Sequence, residues 1–130
     1  MSGIIEISAD SFHKEVVDTN GLVVVEFFSH SCPHCIRFKP IYEELSEIFS
    51  TQAKFVKIDV LLSEDNRDLA HSRGVKSVPS IEVFSEGRVI GGLVGCHHLE
   101  KVYKAIKGFL TEKEENIGPS TPLESLRTLK

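Results

Sequence analysis

Only three cysteines occur among the 130 residues. That is too few for a disulfide scaffold, and an odd number cannot pair completely within one chain. Positive charge is not in excess: 15 Lys and Arg stand against 19 Asp and Glu, a formal charge of −4, so the basic footprint of a nucleic-acid binder is missing. No run approaches the roughly 18 apolar residues of a membrane span. Met1 to Glu6 lack a basic start, and Glu6 interrupts their apolar stretch. No secretory signal is therefore expected, and with Met1 native the expected location is cytoplasmic. Internal repeats and low-complexity blocks are missing too, as are a phosphate-binding loop, a Ser-His-Asp set and paired carboxylates. What is present has the balance of an ordered globular protein, 41% apolar and 26% charged. The length suits one domain with at most a short appendage.

Residues 4–8 alternate weakly and predict a short strand. Asp10 or Ser11 can cap a brief helix through Val17, ended by Asn20-Gly21. LVVVEFF, residues 22–28, is short, β-branched and nearly continuously apolar, as a strand covered on both faces is. Pro33 at a first helical position starts a long amphipathic helix that should bend at Pro40. KFVKIDV, residues 54–60, predicts a second buried strand, and 66–72 a short helix stopped by Gly74. Residues 80–84 and 88–93 predict a hairpin about Glu86-Gly87, and 98–110 a closing helix. This β-α-β-α-β-α-β-β-α order predicts an α/β fold, a mixed sheet of four or five strands with helices on both faces. The domain is expected over 1–110. The charged, Pro-containing stretch 111–130 is expected to be a flexible, solvated tail, with one helical turn near 123–129 as an option.

Cys32-Pro33-His34-Cys35 sits where the buried strand meets the long helix. With Pro33 first in the helix, Cys32 is the N-cap, and its sulfur faces unpaired backbone N–H groups and the positive end of the helix dipole. Both stabilise a thiolate, the nucleophile of disulfide exchange. Cys35, on the same turn, can attack a mixed disulfide formed at Cys32. Pro33 and His34 tune the equilibrium: Pro33 stiffens the turn, and a His34 hydrogen bond to the Cys32 thiolate would make the disulfide more oxidising. The plainer alternative for His34 is an exposed helix residue.

Glu26 interrupts the apolar strand, where an unpaired carboxylate would cost several kcal/mol, on the order given by transfer and ion-pair data. If buried, its pKa rises and it can exchange a proton with Cys35 from below; if the strand is half-exposed, it faces solvent. Lys57, mid-strand in the next segment, is its natural charge partner. Pro79 in Val78-Pro79-Ser80 stands just before a strand, and on the residues alone a trans bond is the default.

Taken together, VVVEFFSHSCPHCIRFKP (23–40), KFVKIDV (54–60) and GVKSVPSIEVFSEGRVIGGLVG (74–95) resemble the thioredoxin family over roughly 3–110. The resemblance implies the thioredoxin fold and thiol–disulfide oxidoreductase activity through a redox-active Cys32–Cys35 pair, with Cys32 attacking and Cys35 resolving. Glu26 falls on the family's buried acid and Lys57 on its partner lysine. Pro79 matches the cis-proline facing the dithiol, Val78 would offer backbone hydrogen bonds to a bound peptide, and Gly95 matches the glycine of the substrate groove. The implied partners are disulfide-containing proteins and a reductase or other dithiol electron donor, with no cofactor. The chain departs from the family at Ser31 and Phe28, both usually Trp. It departs again at Pro33-His34, the dipeptide of periplasmic oxidases of the DsbA type, which carry a helical insertion that this chain is too short to hold.

Two other classes compete. His30, Cys32, His34 and Cys35 crowd one loop, and with Cys96-His97-His98 they could hold zinc or an iron–sulfur centre. A peptide-binding or assembly module beside Pro79, with redox chemistry secondary, is the other. Cys96 is either inert or the partner in a regulatory disulfide.

Overall fold

The computed structural model describes residues 3–115. Strand β1 (Ile5–Ile7) leads into α1 (Ala9–Phe12), which widens into a π-helical turn (His13–Val17). Then come β2 (Leu22–Phe28), α2 (Pro33–Ile48), β3 (Ala53–Asp59), α3 (Glu64–Ser72), the hairpin β4 (Ser80–Ser85) and β5 (Arg88–Val94), and α4 (Leu99–Glu115). The five strands form one sheet in the order β1-β3-β2-β4-β5. β1, β3 and β2 run parallel, while β4 lies antiparallel to β2 and β5 antiparallel to β4. The expected α/β architecture is present, with five strands and helices on both faces.

β2 is central and every one of its residues is buried, which is why its sequence shows no polar alternation. Val23, Val25 and Phe27 pack with Phe12, Val16 and Ala70, on the side of α1 and α3. Leu22 and Val24 pack with Phe38, Tyr42 and Leu45 of α2 and with Val102 and Ile106 of α4. Each Val, Leu, Ile or Phe among them contributes about 1.5–3 kcal/mol on burial. The Tyr42 hydroxyl, on the α2 side, donates to the Val56 carbonyl at 2.7 Å and lies 3.0 Å from that of Val24. It thereby ties α2 to the two central strands.

Several boundaries differ from the sequence expectation. Ser8, not Asp10 or Ser11, caps α1: its backbone N–H donates to Ser11 Oγ (3.2 Å) while its hydroxyl donates to the Asp10 carboxylate. The helix then ends on an Asp18 N–H to His13 carbonyl bond of 2.8 Å, five residues apart, which is what makes the turn π-helical. α3 starts two residues early because Ser63 Oγ accepts the Asn66 N–H at 3.0 Å. α4 runs to Glu115 rather than stopping at Leu110, so residues 111–115 are helix and not tail. The rest of the expected tail, including the turn near 123–129, lies outside the described residues. α2 continues through Pro40 to Ile48.

The β4–β5 turn places Glu86 (φ 51°) and Gly87 (φ 80°) both in the left-handed region, as a two-residue hairpin loop of type I′ requires. Gly87 is needed twice over, since a Cβ there would lie 2.5 Å from the Val17 carbonyl oxygen. At Gly91 a Cβ would sit 2.4 Å from the Phe109 ring, so α4 lies flush on β5.

Candidate functional site

The parallel β2–α2–β3 unit delivers Cys32 to one end of the central strand, where the chain turns out of the sheet and into α2. Cys32 has extended backbone (φ −86°, ψ 121°), caps α2 and is followed by Pro33 in the first helical position. Its Sγ accepts the Cys35 backbone N–H at 3.3 Å, and its thiol donates a long contact of 3.8 Å to the Val78 carbonyl. Cys32 is partly exposed, whereas Cys35 is only 4% exposed. Both thiols are free in this structure.

Desolvation works against ionisation of Cys32. It is outweighed by hydrogen bonds from the Cys35 thiol and from the Cys35 and His34 backbone N–H groups, together with the Arg37 charge, so this thiol falls below its ordinary value. Cys35 goes the other way. Burial foremost, then its hydrogen bond to Cys32 and the charges of Cys32 and Glu26, push it up to about 12. One turn of helix thus holds one thiol poised to ionise and one held protonated.

Glu26 is 3% exposed. Burial raises its carboxyl from the usual 4.5 to about 8, against the downward pull of Lys57. The β2–β3 register sets Glu26 directly beside Lys57, and the Lys57 Nζ lies 5.1 Å from the Phe28 ring centroid. The Val78–Pro79 peptide is cis, as the resemblance implied and the residues alone did not. Pro79 is buried, and its carbonyl accepts the Gly95 N–H at 2.8 Å. Gly95 has φ +98°, a conformation that favours glycine. Val78, Pro79, Gly95, His34 and Cys96 line one cleft of about 510 Å³.

His34 departs from expectation in one respect. Its ring Nδ1 accepts from the Arg37 guanidinium rather than addressing the sulfur. What His34 brings to Cys32 is its backbone N–H.

Three residues went unnoticed in the sequence. Ser29, 4% exposed, accepts the Cys32 N–H on its carbonyl (3.2 Å) and the Ser31 N–H on its hydroxyl (3.3 Å), shaping the turn before the dithiol. Asp59, at the end of β3, accepts from His30 Nδ1 at 2.5 Å and from the Leu61 N–H at 2.9 Å. It anchors that turn to the sheet, and the acid closing KFVKIDV was the available signal. Arg37, one helical turn beyond His34, was the third.

The ligand set of a metal centre does not assemble. Among the described residues no three His, Cys, Asp or Glu side chains are grouped to hold an ion. His30 turns to Asp59 and Glu6, His34 to Arg37, and His97 Nε2 to the Val94 carbonyl at 2.8 Å. No helix among the described residues is long and apolar enough to cross a membrane.

A family model described as Thioredoxin matches residues 3–108. The chain is 31% identical over 125 residues to protein disulfide-isomerase 2-3 of Arabidopsis thaliana, covering 93% of this chain but 27% of that protein. It is 30% identical over 93 residues to thioredoxin C-2 of Corynebacterium nephridii, covering 72% of this chain and 83% of the other. With the thioredoxin of Pyropia yezoensis the identity is 29% over 91 residues, 70% of this chain and 82% of the other. The chain therefore spans about a quarter of the plant isomerase and most of the length of these two thioredoxins.

Proposed function

The chain belongs to the thioredoxin family, and from that premise we propose that it is a thiol–disulfide oxidoreductase that reduces disulfides in protein substrates through Cys32 and Cys35. The Cys32 thiolate attacks one sulfur of a substrate disulfide, forming a mixed disulfide and releasing the other substrate sulfur as a thiolate that takes up a proton. Cys35 then loses its proton and attacks the Cys32 Sγ. The second substrate thiol leaves, and Cys32–Cys35 remains as a disulfide. Two electrons have passed to the substrate, and a dithiol donor must return them. The observation that carries this reading is the Cys32 Sγ at the α2 cap, 3.3 Å from the Cys35 N–H, with the two thiols driven in opposite directions.

Resolution needs a base for a thiol held near 12. Glu26 takes that role: with a carboxyl near 8 it exchanges protons close to neutrality, where general-base catalysis is most effective. Lys57 is a positioning residue that keeps the carboxyl from rising further. Val78, Pro79 and Gly95 form the substrate rail beside the sulfur, with an extended polypeptide pairing on the Val78 backbone. Pro33 and His34 set the potential through the shape and N–H groups of the cap. Three cysteines and no disulfide framework suit a reducing compartment, which makes the cytoplasm the proposed location.

Insulin reduction with a dithiol donor tests this reading. Cys32→Ser should abolish turnover, and Cys35→Ser should accumulate a mixed disulfide at Cys32. Undiminished turnover by the Cys32→Ser protein would overturn the reading, and no turnover by the wild type, with peptide binding retained in the Cys32→Ser/Cys35→Ser protein, would favour a peptide-binding module.

A further inference from the structure

We propose that the substrate face is built for acidic polypeptide: an extended segment carrying Asp or Glu on both sides of its disulfide cysteine. This deepens the oxidoreductase reading and rests on it. Two clefts meet at Val78, the residue whose carbonyl faces the Cys32 sulfur. The larger, about 510 Å³, has His34, Arg37, His97 and His98 on its walls. The smaller, about 220 Å³, has Arg67, His71 and Lys76. Neither has an Asp or Glu in its lining, although acids outnumber Lys and Arg by 19 to 15 in the whole chain.

The cations of these clefts are also free of neighbouring carboxylates, as others of the chain are not. Arg73 is paired with Glu82 at 2.6 Å and Lys54 with Glu15 at 2.8 Å. Among the described residues Arg37, Arg67 and Lys76 have no carboxylate within ion-pair distance, and all three are exposed. α3 does carry Glu64, Asp65 and Asp68, but none of them lines the cleft that Arg67 and His71 line.

Arg37 also fixes the tautomer of its neighbour. A guanidinium donates only, so neutral His34 accepts on Nδ1 and carries its proton on Nε2, a second donor on the same wall. A peptide paired on Val78 passes from one cleft to the other with the reacting cysteine between them. Its flanking side chains then meet donors and positive charge on both sides. Apolar wall from Ile41 and Val78 in one cleft and Val60, Leu61 and Val75 in the other accepts the stems of those side chains.

The test uses paired peptides, identical except that the residues flanking an internal disulfide are glutamate in one and lysine in the other. A second pair has serine in place of the cysteines. The serine pair reports binding by fluorescence anisotropy, and the disulfide pair reports reduction, normalised to reduction by dithiothreitol.

The glutamate peptides should bind about tenfold tighter than the lysine peptides at low salt, the scale of a few exposed ion pairs acting together. They should show a matching advantage in kcat/KM. The preference should collapse in the Arg37→Gln/Arg67→Gln/Lys76→Gln protein and at roughly 0.5 M salt. Equal binding of the serine pair, or a preference that survives in the triple variant, would overturn the proposal. A charge preference in binding without reduction of either disulfide peptide or of insulin would support the acidic-substrate proposal while overturning the redox reading beneath it.

Discussion

Glu26 shows how one side chain couples stability to chemistry. Its carboxyl titrates at 4.5 when unfolded and near 8 when folded, so between those values the folded state binds the extra proton. Stability therefore falls as pH rises through that window and the penalty is complete above it. Glu26→Gln should remove most of this slope, so that between pH 5 and 8.5 the wild type loses about 3–5 kcal/mol more in urea denaturation than the variant does. The same variant should slow resolution and let the mixed disulfide accumulate.

His34 permits a second residue-scale test. Its backbone N–H reaches Cys32 while its ring is turned to Arg37. His34→Ala should therefore leave the reduction potential nearly unchanged. His34→Pro, which deletes the N–H, should make it more negative by roughly 20 mV, the equivalent of one hydrogen bond of about 1 kcal/mol. A shift in the alanine variant as large as in the proline variant would assign the effect to the ring. Sequence could mark out Cys32, Cys35, Glu26 and Pro79 as candidates, because their spacing or an anomalous neighbourhood sets them apart. It could not show where the His34 ring turns, which depends on Arg37 one helical turn away.

At the scale of elements, strands and long helices were readable because each is dictated by its own pattern. β2 is apolar at every position but Glu26 and was found with its bounds intact, and Pro33 marked the first residue of α2. The failures cluster at caps, where the winning partner lies elsewhere. Ser8 outcompetes Asp10 because Asp10 is engaged by the Ser8 hydroxyl, and Ser63 caps α3 ahead of the expected start. Asn66 explains part of the arrangement. Buried at 1% exposure, it accepts the Ala9 N–H at 2.7 Å and donates to the Asp59 carbonyl at 2.9 Å, joining α1, α3 and the end of β3. No local sequence signal announces a bond between residues 9 and 66. Asn66→Ala leaves the Ala9 N–H without its partner, while the Asp59 carbonyl keeps the Leu62 N–H at 3.2 Å. It should cost about 1–3 kcal/mol in chemical denaturation, whereas an exposed neighbour such as Asp65→Ala should cost little.

For the molecule as a whole, the order of strands and helices was legible, and with it the end of the sheet that bears the dithiol. The acid-free lining of the two clefts was not. Arg37, Arg67 and Lys76 are scattered along an acidic chain, and only the fold brings them to the two clefts at Val78. The same topology brings the α2 cap and the buried Glu26, from one stretch of sequence, to the cis Val78–Pro79 bond from another. All of it serves a single condition, a sulfur at position 32 that ionises ahead of its partner. Titrating the thiolate absorbance of the reduced protein, with Cys35→Ser and Cys96→Ser variants to assign the steps, measures that condition directly. Cys32 should ionise below the ordinary thiol range and well before Cys35. A Cys32 that titrates at or above that range, or together with Cys35, would contradict the account.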